Sequence, residues 1–191
     1  HLREAERRAE ALEDQRRLGR VYGYLTHVLF LMGDVDRAIE EGQRALLISD
    51  ATGDLGVQVV ANTYVGLALF NRGDYRRALD LHRRNRDLLE GDLIGELFGL
   101  AGHPSVFCRT FLAHCLAELG QFADGIAYGE EAHRIAEGFK RPYSQIFGDW
   151  GLGHLYVRKG DFDKSIPRLE HGVMLCQTMG IRFMFPWLAS L

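Results

Sequence analysis

One turn signature recurs along this chain, and its spacing restricts the fold more than any other feature. Gly33-Asp34-Val35-Asp36-Arg37-Ala38-Ile39 returns as Gly73-Asp74-Tyr75-Arg76-Arg77-Ala78-Leu79. It returns again as Gly120-Gln121-Phe122-Ala123-Asp124-Gly125-Ile126 and as Gly160-Asp161-Phe162-Asp163-Lys164-Ser165-Ile166. The leading glycines are 40, 47 and 40 residues apart. A period of this length marks an array of stacked supersecondary units, each too small to bury its own apolar face.

Each signature separates two stretches with helical periodicity. The expected helix pairs are 15–32 with 35–51, 55–72 with 75–90, 105–119 with 122–138, and 143–159 with 162–179. The glycine supplies the backbone freedom that ends the first helix. The following aspartate is suited to cap the second. The aromatic after it is expected to wedge between the two helices, and the small residue five places after the glycine to let them approach closely.

This pattern resembles the tetratricopeptide repeat (TPR). That family places a small residue late in its first helix and Gly-x-aromatic-x-x-Ala at the turn. Gly66, Ala113 and Gly153 hold the small position seven residues before the turn glycine, whereas the first repeat has Thr26 there and Val35 in place of the aromatic. Gly125 and Ser165 replace the usual alanine and are also small. The family unit is about 34 residues, so the longer step implies helices about one turn longer. The resemblance implies an all-α, right-handed superhelical solenoid of helix-turn-helix repeats. Residues 1–14 then read as the second helix of a preceding repeat, 15–54 as repeat one, and 55–104 as repeat two with an apolar insertion. Residues 105–141 and 142–181 read as repeats three and four, and 182–191 as the start of a fifth, so the chain is expected to be a piece of a longer array.

Charge and composition exclude several classes. The net charge of −3 lacks the basic footprint of a nucleic-acid binder. No apolar run is long enough for a membrane-spanning helix, and the charged opening His1-Leu2-Arg3-Glu4-Ala5-Glu6-Arg7-Arg8 is unlike a signal peptide. The cysteines are Cys108, Cys115 and Cys176, an odd count without a CxxC pair, as expected of reduced thiols in a cytoplasmic protein. No phosphate-binding loop or nucleophile-base spacing occurs. The glycine-rich run Gly148-Asp149-Trp150-Gly151-Leu152-Gly153 falls inside an expected helix and reads as packing. The expectation is a non-enzymatic segment with no cofactor and no metal.

The TPR resemblance also implies a concave groove lined by the first helices, where the family takes peptides. The positions that would face it are Arg20, His27 and Phe30 in repeat one, and Thr63, Phe70 and Asn71 in repeat two. Phe107, Thr110 and His114 follow in repeat three, and Phe147, Trp150, His154 and Arg158 in repeat four. His27, His114 and His154 occupy one repeat position and should form a row, with His114 and His154 close enough to converge. Metal binding would need further ligands, and no HxxH or HxxxH pair supplies them. Phe107, Phe147 and Trp150 are either core or anchors for a partner. The Lys and Asn of a chaperone-tail carboxylate clamp are missing, since Gly, Thr, His and Phe stand at those positions. The apolar, glycine-rich segment 91–104 is either folded back on the array or a flap over a binding groove.

Three stretches go beyond the general repeat: Asp14-Gln15-Arg16-Arg17-Leu18-Gly19-Arg20, Leu81-His82-Arg83-Arg84-Asn85 and His103-Pro104-Ser105-Val106-Phe107. They resemble the C-terminal repeat region of large bacterial signalling proteins that carry an adenylate/guanylate cyclase domain and an AAA-type ATPase. That resemblance implies a regulatory segment that binds a peptide or protein, or another domain of its own chain, without binding nucleic acid or membrane. Self-association through exposed ends and a small-molecule pocket under 91–104 are the alternatives.

Overall fold

The computed structural model describes every residue from His1 to Leu191. It contains ten α-helices, one 3-10 turn and no strand. The chain divides into two compact units, His1–Asn85 and Arg86–Leu191. No helix is long and apolar enough to cross a membrane.

The first unit holds α1 (Leu2–Ala11), α2 (Gln15–Leu31), α3 (Val35–Thr52), α4 (Leu55–Asn71) and most of α5 (Tyr75–Leu88). Here α1 packs on α2, α2 on both α3 and α4, and α3 on α4. The second unit holds a 3-10 turn (Gly91–Gly95), α6 (Pro104–Glu118), α7 (Phe122–Phe139), α8 (Pro142–Lys159), α9 (Phe162–Thr178) and α10 (Phe185–Ala189). The connectivity repeats: α6 packs on α7 and α8, α7 on α8, α8 on α9, and α9 on α10. Within each unit, therefore, neighbouring helices form hairpins and the leading helices of successive hairpins touch.

The backbone explains why the turns recur. Gly33, Gly73, Gly120 and Gly160 all take left-handed φ values of 82°, 85°, 73° and 82°. At each, the glycine N–H donates to the carbonyl three residues back and the next N–H reaches five back, as in Gly33 to Phe30 and Asp34 to Leu29. This paired closure satisfies carbonyls that the helix end leaves open. The residue after the glycine then begins the next helix. Asp34 and Asp74 cap it by accepting from the N–H of Arg37 and Arg77 at 3.4 Å. Asp14 and Asp54 open α2 and α4 the same way at 3.0 Å.

Two local expectations fail in the α8–α9 hairpin. Asp161 makes no capping bond; its carboxylate faces Lys164 at 3.3 Å and Lys159 at 3.7 Å instead. Phe162 is 57% exposed and does not wedge. The hairpin is held by Ser165, whose hydroxyl donates to the Gly153 carbonyl at 2.9 Å, and by Leu169, which lies against Gly153. The other turn residues behave as expected: Tyr75 packs on Phe70 with ring centroids 5.4 Å apart, and Phe122 packs on the cluster of Ala113, Ala117, Leu152 and Leu155.

Polar groups join α4 to α5. Asn62 donates to Asn85 at 2.9 Å, and the Asn85 amide donates to the Val59 carbonyl at 2.9 Å and to the Thr63 hydroxyl at 3.0 Å. Beside them the fully buried His82 ring lies on Gly66. The segment 91–104 is folded back onto the second unit. Ser105 donates to the Ile94 carbonyl at 2.7 Å, Arg141 to the Ala101 carbonyl at 3.2 Å, and the His103 ring stacks on Phe139 at 4.0 Å.

Two measurements check this packing. An added Cβ at Gly73 meets nothing within 4 Å, whereas one at Gly66 would sit 2.5 Å from the His82 ring. Gly73→Ala should therefore cost only the backbone penalty, about 1 kcal/mol, and Gly66→Ala should cost more, up to about 3 kcal/mol of overpacking, in urea unfolding. Burial pushes the His82 pKa down from 6.5 to about 3. Below pH 6.5 the unfolded chain takes up a proton that the folded chain refuses, so stability falls with acidification through that window and is flat above it for this group. The contribution is at most about 1.4 kcal/mol per pH unit, and His82→Gln should make the measured slope shallower by that amount.

Candidate functional site

Residues four and three apart on a helix share a face, and two such faces meet in the second unit. Phe107, Phe111 and His114 of α6 oppose Tyr143, Phe147, Trp150 and His154 of α8. The ring centroids of Phe107 and Phe147 are 4.4 Å apart, those of Phe111 and Trp150 5.7 Å, and those of His114 and Trp150 4.5 Å. The Thr110 hydroxyl donates to the Phe147 carbonyl at 3.0 Å. Trp187 of α10 covers the Trp150 indole at 5.2 Å.

These rings are interior. Phe107 and Phe147 are 6% exposed, Trp150 8%, and Thr110 and His114 fully buried. The aromatic stripe is therefore the seam between α6 and α8, and Trp150 is not an exposed anchor. His114 and His154 do converge, with ring centroids 4.3 Å apart. No cluster of three or more metal-ligating side chains surrounds them.

The seam ends in polar groups that reach solvent. Glu118, at the end of α6, is nearly buried and accepts from His154 Nε2 at 3.2 Å and from Arg158. Burial pushes the His154 pKa down, against the upward pull of Glu118, and Arg158 pushes it down further. Half of the Arg158 side chain remains exposed.

The first unit places its expected residues differently. His27 stacks on Tyr64 at 4.2 Å with the rings nearly parallel, and burial lowers its pKa. Thr63 is buried, its hydroxyl accepting from Asn85. Phe30 and Phe70 are half-buried, and Arg20 and Asn71 are exposed. The Asn71 amide donates to the Leu67 carbonyl at 3.0 Å.

One cluster was not anticipated. Asp149 lies inside the run read as packing, and its carboxylate is fully buried. His171 Nδ1 of α9 lies 2.6 Å from one oxygen. His133 Nδ1 of α7 lies 3.4 Å and Arg168 3.8 Å from the other. Arg168 in turn donates to His133 Nε2 at 2.6 Å, so in the neutral ring Nδ1 carries the proton, although neither His133 Nδ1 nor the facing Asp149 Oδ1 completes a hydrogen bond. Burial raises the Asp149 pKa, and His171, His133 and Arg168 oppose it. The signal was a lone carboxylate with Ile146 three residues before it and Leu152 and Gly153 three and four after it on one helix face, a position that demands partners.

All three cysteines are unpaired and buried. Burial pushes the Cys108 and Cys115 thiols up to about 12, so they remain protonated and unreactive. Comparison with protein-family models and with curated proteins gives no match to this chain.

His171→Ala strands a buried carboxylate and should cost about 1–3 kcal/mol. The double change with Asp149→Asn should cost less than the two single changes together, with a coupling of about 0.5–3 kcal/mol in a thermodynamic cycle. Additivity would show that the short contact contributes nothing.

Proposed function

We propose that this chain is a non-catalytic protein-protein or peptide interaction module with a TPR-like solenoid architecture. It serves as a regulatory or sensor segment of a cytoplasmic, multidomain bacterial signalling protein with a cyclase-like parent. The observation that carries the reading is the polar end of the α6–α8 seam. There Glu118, His154 and Arg158 place a carboxylate, an imidazole and a half-exposed guanidinium side by side at the edge of a rigid aromatic wall. Rigid helices that hold a few polar groups beside apolar rings suit recognition of a peptide by its charge and one or two apolar side chains. The TPR and cyclase resemblances supply the expected partner class and the multidomain setting.

Panning a random peptide library against the chain, followed by calorimetric titration of the selected peptides, tests this. Arg158→Gln, which leaves His154 on Glu118 and keeps a neutral donor beside it, should weaken those peptides by about tenfold or more while shifting the melting temperature little. Unaltered affinity in that variant would reject this site. Trp150 is unsuitable for the test, because truncating so buried a ring costs about 3–5 kcal/mol of stability.

A further inference from the structure

Three helices converge on the buried Asp149 carboxylate. It belongs to α8, on which α7 and α9 both pack. His171 of α9 holds Oδ2 at 2.6 Å. The other oxygen is poorly served: Oδ1 completes no hydrogen bond, and His133 Nδ1, facing it at 3.4 Å, completes none either. Arg168 Nη1 of α9 stands 3.8 Å from Oδ1. The same nitrogen donates to His133 Nε2 at 2.6 Å. One guanidinium nitrogen thus serves groups on two helices, and its bond to His133 crosses directly from α9 to α7.

This arrangement requires a neutral His133. An imidazolium carries a proton on both nitrogens and accepts from neither. A proton arriving at Nε2 therefore removes the acceptor that Arg168 uses and sets two cations in contact. Arg168 is the group free to yield. Its side chain is 37% exposed on a long, flexible stem, whereas that of His133 is 22% exposed and Asp149 is buried. Its departure does not strand Asp149. His171 stays on Oδ2, and His133, now charged, presents its Nδ1 proton to Oδ1.

The charged groups around His133 set the direction of the response. From α7 comes Glu137, which accepts from Gln145 at 2.9 Å; from α8 comes Asp149, and from α9 Arg168 and His171. Burial pushes the His133 pKa down, Arg168 and His171 add to that push, and Asp149 and Glu137 oppose it. With Arg168 in place, the folded chain refuses a proton that the unfolded chain accepts, so acid works against this arrangement. With Arg168 gone, one downward push is removed and Asp149 remains, so the alternative arrangement holds the proton more tightly. Falling pH then shifts the population from the first to the second.

We propose that His133 is a proton-operated latch on α9. Neutral, it holds Arg168 beside Asp149 and ties α9 to α7; protonated, it replaces Arg168 as the countercharge of Asp149 and releases the guanidinium to solvent. The device uses none of Glu118, His154 and Arg158 and does not rest on peptide binding.

Nitrogen NMR of the whole chain between about pH 8 and about pH 5 reads both halves of this exchange. His133→Gln identifies the His133 signals among those of the eight histidines. At the upper end His133 should be the neutral Nδ1–H form, and Arg168 should show two separate Nη signals, as a guanidinium held in place does. As His133 takes up its proton, the two Nη signals should merge with the same midpoint, while the backbone amide signals of α7, α8 and α9 persist. In His133→Gln, whose amide oxygen accepts from Arg168 and does not titrate in this range, the Nη signals should stay separate throughout. In Arg168→Gln the His133 midpoint should rise by about one unit. Nη signals that stay separate while His133 becomes charged overturn the proposal, as do signals that merge equally in His133→Gln or a midpoint that Arg168→Gln leaves in place. Collapse of the amide signals at the His133 midpoint overturns it too, because acid would then unfold the helices rather than release a latch.

Discussion

The structure depends on one backbone closure repeated at the turns from α2 to α3, α4 to α5, α6 to α7 and α8 to α9: a left-handed glycine followed by a residue whose N–H reaches five residues back into the finished helix. The closure satisfies the last carbonyls of the first helix without a side chain and turns the chain within two residues. The residue that completes it, Asp34 or Asp74, also caps the next helix. At these two turns helix end and helix start are therefore one device, whereas Gln121 and Asp161 complete the backbone closure without a side-chain cap. That is why Val35, Tyr75, Phe122 and Phe162 can differ in size and burial without altering the turn. Phe162, mostly exposed, shows that the aromatic contributes packing where space allows but does not make the hairpin.

What was legible in the sequence follows from this. Helices expected over 15–32 and 35–51 are Gln15–Leu31 and Val35–Thr52, and those expected over 143–159 and 162–179 are Pro142–Lys159 and Phe162–Thr178. Glycine, aspartate and periodicity are local signals, and local signals report backbone conformation well. The candidate site was less legible, because facing a partner helix and facing solvent give the same spacing of rings along one helix. Phe107, Phe147 and Trp150 satisfy both descriptions, and only the approach of α8 to α6 makes them a seam. Asp161 likewise carries the same local signal as Asp34 and Asp74, yet its carboxylate faces Lys159 and Lys164 without capping the helix.

The buried polar groups do a different kind of work from the apolar ones. Leucine and alanine tolerate a helix sliding by a fraction of a turn, because their contacts are non-directional. Asn85, which donates to both Val59 and Thr63, and Asp149, which meets side chains from α7 and α9, do not. Sliding α9 along α8 would withdraw His171 and Arg168 from a carboxylate that has no access to water, at a cost of several kcal/mol. These groups set the register of helices whose apolar faces alone would leave it loose, and each sits between helices of a single unit.

The contrast between α2 and α4 shows how one repeat position can serve two ends. Both helices are 17 residues long and both start from a capping aspartate. On α4 the outward stripe is Val57, Val60 and Ala61, all buried; on α2 its counterpart carries Arg17 and Arg20, both exposed. Removing a guanidinium from water is costly unless a carboxylate meets it, so Arg17 and Arg20 stand in solvent on α2 where Val57 and Val60 are packed on α4.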